Sequence, residues 1–115
     1  NILFVCKHNR YRSKVAEALL NKYKRKQGTD VLSAGTELDF LNPAVSGNVM
    51  KVLGEREAKV ADERARAIDN VLIKWADRII IVADNVDPTL FPKKKVEVWL
   101  IKDITFTLKC NCNLQ

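Results

Sequence analysis

At 115 residues, 47% hydrophobic and 30% charged, the chain is sized and composed for a single folded domain spanning 1–115 rather than for disorder. Lys+Arg 20 against Asp+Glu 14 gives a net charge of +6, which favours an anionic partner without naming one. Three cysteines are an odd number that argues against a disulfide framework and for a reducing, cytoplasmic setting; no apolar run approaches the ~20 residues of a membrane helix, and the run 2–5 is too short for a signal peptide.

Residues 2–5 (ILFV) form a short apolar run that reads as a strand buried on both faces, stopping at Cys6. After a polar stretch to Ser13 a helical period begins, with Val15, Leu19 and Tyr23, and Ala16 and Leu20, on one face. The basic residues of 22–26 and Gly28 mark its end. Residues 31–35 (VLSAG) read as a second strand. Asn42 and Pro43 look like the N-cap and first position of a second helix, striped by Val45, Val49, Val52 and Leu53 and ended by Gly54. The charged segment 55–67 reads as a surface connection. A third helix is expected from about Asp69 to Trp75, with Ile68, Val71, Leu72 and Trp75 facing inward. Residues 78–83 (RIIIVA) read as a central strand and 96–101 (VEVWLI) as a fourth. The connection 84–95 between them is near the shortest crossover that two parallel strands allow. Strands alternating with helices give an α/β class with a parallel sheet. Ligands in such sheets bind at the carboxyl ends of the strands, which points to the turn starting at Cys6.

That turn reads Cys6-Lys7-His8-Asn9-Arg10-Tyr11-Arg12-Ser13 between a predicted strand and a predicted helix. A loop of about six residues wrapping into a helix N-terminus aims backbone N–H groups inward, and such a nest holds a tetrahedral oxyanion. Arg12 can grip two oxygens with its planar fork, and Cys6 sits on the floor of the loop. Thiols at helix N-termini among cations have pKa values of roughly 3.5–7.5, so such a loop favours a thiolate. Ser13 can donate a further hydrogen bond to the sulfur. A thiolate under a bound phosphoryl group is an in-line nucleophile, and the product is a cysteinyl phosphate. The leaving group then needs a proton from a carboxylic acid at the same sheet edge. Asp103, directly after the fourth strand, is the candidate; Asp84, after the third, is the competitor, with a structural role bonding backbone amides as its plainer reading.

Residues 2–20 (ILFVCKHNRYRSKVAEALL) resemble the opening of the low-molecular-weight protein tyrosine phosphatases, which share an arsenate-reductase-like fold. Val5, Cys6, Asn9, Arg12, Ser13, Ala16, Glu17 and Ala18 match the family's V-C-x-G-N-x-C-R-S loop and following helix. The similarity continues at Ser33-Ala34-Gly35-Thr36, Asn42-Pro43, Arg64-Ala65-Arg66, residues 75–80 and Ala83-Asp84. The resemblance implies a three-layer domain whose four-stranded parallel sheet has the order 2-1-3-4, with a C-terminal helix that is short or missing here. It implies hydrolysis of phosphomonoesters, phosphotyrosine above all, with no cofactor or metal. Cys6 is then the nucleophile, Arg12 the phosphate clamp and Asp103 the general acid. Lys7, His8, Asn9, Arg10, Tyr11 and Ser13 bind substrate, and inorganic phosphate or sulfate occupies the loop from Cys6 to Arg12. The implied partner is a phosphorylated protein or a small aryl phosphate.

The sequence departs from the family at four places. His8 replaces a loop glycine, Tyr11 a second loop cysteine, and Ile104 the proline after the acid. Thr105-Phe106 replaces an aromatic pair, leaving Phe106 as the one ring available. Two further functions stay open: a thiol-coupled arsenate reductase, whose resolving cysteines would have to be Cys110 or Cys112, and a phosphate-binding module without turnover. The single histidine, His8, lacks companions at metal-ligand spacing. The lysine runs at 22–26 and 93–95 lack the interleaved aromatics of a nucleic-acid surface and read as solvated faces.

Overall fold

In the core strands, odd and even side chains leave in opposite directions, and both sets are apolar. Of β1 (Ile2–Cys6), Leu3 and Val5 enter one cluster while Ile2 and Phe4 enter another. Of β3 (Arg78–Val82), Ile79 and Ile81 join the first and Ile80 and Val82 the second. A strand that is hydrophobic on both faces is stable only between two layers, so the sheet is covered on each side. The computed structural model describes residues 1–24 and 28–100. Within them β1 and β3 are the two central strands. β2 (Val31–Gly35) lies outside β1 and β4 (Val96–Trp99) outside β3, all parallel, in the expected order β2-β1-β3-β4. The register pairs Leu3 with Leu32 and with Ile79, and Ile79 with Val96.

One face is packed by α1 (Arg12–Tyr23), through Ala16 and Leu20 onto Phe4, Val31, Ile80 and Val82. Val15 and Leu19 look the other way, to α2 (Gly47–Glu55), meeting Val45, Val49 and Leu53. The opposite face is covered by α3 (Asn70–Trp75), with Leu72, Ile73 and Trp75 over the Leu3–Ile79 cluster. Leu3, Val5, Ile79 and Ile81 are wholly buried, each worth about 1.5–3 kcal/mol of burial. Among the described residues no helix is long and apolar enough to cross a membrane.

Several expectations change. Asn42 and Pro43 do not start a helix. The Asn42 amide donates to Asp39 Oδ2 (3.0 Å) in a turn, and Ala44 bridges antiparallel to Arg64. The N-cap is Ser46, whose Oγ accepts from Asn48 N–H (3.2 Å). Gly54 lies inside α2, which runs through Glu55; the left-handed residue that reverses the chain is Glu57 (φ 57°). Tyr23 ends α1 exposed, and Val71 faces solvent while Ile73 takes the inward position. The 84–95 connection carries one 3₁₀ turn, Pro88–Leu90, and β4 covers Val96–Trp99 with Leu100 beyond it; the expected last strand residue, Ile101, lies outside the described residues.

The chain leaves β1 toward β2 on one side, then places β3 and β4 on the other. The order therefore switches between β1 and β3, and the crevice at their carboxyl ends is where such sheets take ligands. Cys6 ends β1 there, and Asp84 follows β3.

Candidate active site

β1 delivers Cys6 to the sheet edge almost wholly buried, and the chain returns through residues 7–11 into the first turn of α1. Asn9 makes that return possible by adopting φ 55°, a left-handed conformation that asparagine tolerates better than most side chains. Its backbone N–H then points at Cys6 Sγ (3.3 Å). Tyr11 stands at the N-cap position of α1 without a side-chain cap, and the first turn carries no acidic residue. The positive end of the helix dipole therefore faces the loop.

The buried Asn9 side chain organises the floor. Its Oδ1 accepts from the backbone N–H of Arg66 (2.8 Å), a group that can only donate, and this fixes the amide orientation. The Nδ2 hydrogens go to Ser13 Oγ (2.7 Å) and Ser33 Oγ (2.9 Å). Ser33 Oγ donates its own hydrogen bond to the buried Glu17 carboxylate. Ser13 Oγ accepts from Asn9 and stands 2.9 Å from Cys6 Sγ, a hydrogen-bond contact in which either group can be the donor. The Asn9 backbone N–H and the Ser13 hydroxyl thus both meet the sulfur.

The loop rests against the end of β2. Thr36 N–H donates to Cys6 O (3.1 Å) and Glu37 N–H to Lys7 O (2.8 Å). Contact is close because residue 35 is glycine: a Cβ there would lie 2.7 Å from Lys7 O and 2.9 Å from the His8 carbonyl carbon. The other loop side chains brace against segment 36–44. His8 Nδ1 donates to the Glu37 carbonyl (2.5 Å), so that nitrogen carries the ring proton. Lys7 approaches Glu37 Oε2 at 3.9 Å, and Arg10 Nε donates to Ala44 O (2.7 Å) with its guanidinium 5.3 Å from the Tyr11 ring centroid.

Arg12 is buried at its head as well as its stem. Nη1 donates to Asp84 Oδ1 (3.2 Å) and Nη2 to Asn85 Oδ1 (3.1 Å), so the turn after β3 aligns the guanidinium plane. Asp84 thus pairs with Arg12 across the crevice, a structural engagement whose partner is a guanidinium. Of the predicted residues, the structure brings Cys6, Asn9, Arg12, Ser13 and Asp84 together. Lys7, His8 and Arg10 hold the loop's outer wall. Asp103, Phe106, Cys110 and Cys112 lie outside the described residues. Glu17, Ser33, Asn85 and the Arg66 amide were not expected to have roles. Ser33 alone gave a signal, as a serine inside an otherwise apolar buried strand that needs a partner. Among the described residues no group of three or more His, Cys, Asp or Glu is arranged to hold a metal ion.

Residues 1–111 match the family model described as low molecular weight phosphotyrosine protein phosphatase. Arsenate reductase 1 of Bacillus cereus (strain ATCC 10987 / NRS 248) is 33% identical over 105 residues, covering 89% of this chain and 75% of that protein. The crystal structure of arsenate reductase from Archaeoglobus fulgidus superposes with a TM-score of 0.79 at 30% identity, over 99% of this chain and 88% of that one. The YwlE arginine phosphatase from Geobacillus stearothermophilus superposes at 0.71, also 30% identical, over 84% of this chain and 64% of that one. Relatives of both chemistries thus share the sheet and helices described above, and this chain belongs to the low molecular weight phosphotyrosine protein phosphatase family.

Proposed function

We propose that the protein is a cysteine-dependent phosphomonoesterase acting on phosphorylated proteins or small aryl phosphates. The observation that carries this reading is the convergence of the Ser13 hydroxyl and the Asn9 amide on Cys6 Sγ, at the mouth of a helix N-terminus that also presents Arg12. The thiolate attacks phosphorus in line; the S–P bond forms as the bond to the leaving oxygen breaks. Arg12 and the loop N–H groups hold the non-bridging oxygens as charge redistributes over them. The leaving oxygen takes its proton from Asp103. Water then cleaves the S–P bond, releasing inorganic phosphate and returning the thiolate, with Ser13 stabilising the departing sulfur. Asp84 is occupied with Arg12, which supports Asp103 over Asp84 as the acid. The test is hydrolysis of p-nitrophenyl phosphate from pH 4 to 8. Cys6→Ser abolishes turnover and Asp103→Asn reduces it on the order of 10²–10⁴-fold. A folded wild-type protein that binds phosphate without turning over substrate would refute the reading.

A second reading is favoured by the names of the curated relatives. In it the Cys6 thiolate attacks arsenate and forms an S–As bond as one As–O bond breaks and its oxygen leaves as water; a second thiol then attacks the Cys6 sulfur, the S–As bond breaks, and arsenite leaves as the two thiols become a disulfide. Two electrons pass from sulfur to arsenic, and an external dithiol restores the enzyme. Tyr11 cannot supply the second thiol, so the resolving group would be Cys110 or Cys112. Arsenate-dependent oxidation of thioredoxin that is lost in a Cys110→Ser, Cys112→Ser variant would select this reading over the phosphatase.

A further inference from the structure

The segment that follows Cys6 carries three basic side chains of Lys or Arg type, Lys7, Arg10 and Arg12, and two of them face a carboxylate of this chain. Lys7 Nζ approaches Glu37 Oε2 at 3.9 Å, and Arg12 Nη1 meets Asp84 Oδ1 at 3.2 Å. Arg10 pairs with no carboxylate among the described residues. Asp39, on the segment that Arg10 leans against, accepts instead from Leu41 N–H and Asn42 Nδ2, both at 3.0 Å. Arg10 is nevertheless held in place. Its Nε donates to Ala44 O (2.7 Å), its carbonyl accepts from Ser46 N–H (3.4 Å), and its guanidinium carbon lies 5.3 Å from the Tyr11 ring centroid. The ring beneath it is itself packed on the cluster of Val45, Val49 and Leu53. With Nε engaged, the Nη1–Nη2 edge carries no hydrogen bond to a described residue. That edge presents two parallel N–H donors, the pattern that a carboxylate matches with its two oxygens. An arginine fixed in advance avoids much of the ordering cost that makes ordinary surface ion pairs weak.

We propose that Arg10 is a specificity-determining residue that reads an acidic side chain flanking the phosphoryl group of a protein substrate. Arg12 and Arg10 then divide the work. Arg12, buried and aligned by the turn after β3, holds phosphoryl oxygens, whereas Arg10, on the outer wall of the same loop, holds a carboxylate beside them. The net charge of +6 draws the same acidic segments toward the loop. The inference rests on the proposed function, because it needs a phosphorylated protein segment in the loop; an aryl phosphate without a carboxylate has nothing to offer Arg10.

The test compares two phosphotyrosine peptides, one flanked by glutamates and one by glutamines in the same places, as a ratio of kcat/KM. A ratio cancels any loss that a variant inflicts on both peptides alike. Wild type should favour the glutamate peptide by about fivefold, the worth of one well-placed ion pair. Arg10→Gln should bring the ratio near unity, and Arg10→Glu should invert it. Lys74→Gln, which removes the same charge from the exposed side of α3, should leave the wild-type ratio unchanged. A wild-type ratio of one overturns the proposal, and so does an Arg10→Gln ratio equal to that of wild type. A Lys74→Gln ratio that falls as far as that of Arg10→Gln also overturns it, because net charge then accounts for the preference. Should Arg10→Glu fail to fold by circular dichroism, the two glutamine variants decide. Hydrolysis of p-nitrophenyl phosphate, which bears no carboxylate, reports the proposed function separately. If wild type hydrolyses neither it nor the peptides, that function fails, and the ratio of the two peptides' Kd values by fluorescence anisotropy decides on Arg10; binding of neither peptide overturns the proposal.

Discussion

Gly35→Ala tests whether the active-site loop depends on close backbone packing. An alanine Cβ would lie 2.7 Å from Lys7 O, 2.9 Å from the His8 carbonyl carbon and 3.0 Å from Asn9 N, where ordinary contact begins at 3.4 Å. All three obstacles are backbone atoms of the loop at residues 7–9, so no side chain can swing aside, and the loop must retreat by about 0.7 Å at its tightest point. Retreat moves the Asn9 N–H away from Cys6 Sγ and strains the Glu37 N–H to Lys7 O bond. Overpacking of this kind costs about 1–3 kcal/mol, and a misplacement approaching 1 Å in a catalytic array can cost on the order of 10²-fold in rate. Urea unfolding reads the first quantity, and p-nitrophenyl phosphate turnover with Cys6 alkylation reads the second. An alanine variant with wild-type stability, alkylation rate and turnover would show that the loop does not rest on β2, and the argument would fail.

Asn9→Gly keeps the left-handed backbone without strain but deletes the bonds to Ser13, Ser33 and the Arg66 amide; at about 1 kcal/mol each, urea unfolding should show a loss of about 3 kcal/mol. Arg12→Lys retains charge but cannot span Asp84 and Asn85 with a planar fork, so kcat/KM should fall on the order of 10²–10³-fold and inhibition by inorganic phosphate should weaken, both read by steady-state kinetics. Lys14 carries a pH signature of defined sign. Its folded pKa lies below 10.5, so the unfolded chain holds the proton more tightly, and stability rises with pH between the folded value and 10.5. Wild type should therefore gain on Lys14→Met across that alkaline window, by about 1.4 kcal/mol per unit of lowering; urea titrations showing a flat or falling difference would contradict the buried ammonium.

What the sequence disclosed and what it hid divide by distance along the chain. The runs 2–5 and 78–83 were readable as doubly buried strands because two-face burial needs nothing beyond their own composition. The spacing from Cys6 to Ser13 was readable because a strand, a loop and a helix N-terminus enforce convergence within eight positions. Asn42-Pro43 misled because its local chemistry fits an N-cap, while Asp39 and the Ala44–Arg64 bridge hold it in a turn. The partners of the loop were out of reach for the same reason. Asp84 is 72 positions from Arg12, and the Arg66 amide is 57 from Asn9; only the closed sheet brings them together.

The polar face of α1 carries the point furthest. Ser13, Lys14 and Glu17 are all buried, where a periodicity argument assigns them to solvent and the burial to Val15, Leu19 and Tyr23. Of those apolar residues Val15 and Leu19 pack sideways toward α2, and Tyr23 is exposed. The helix thus buries polar groups beside Ala18: Ser13 meets Cys6 Sγ, Glu17 accepts from Ser33, and Lys14 donates to the Asp62 carbonyl. Buried polar groups that must all be satisfied together permit few alternative arrangements, which is the condition a nucleophile held by two hydrogen bonds requires.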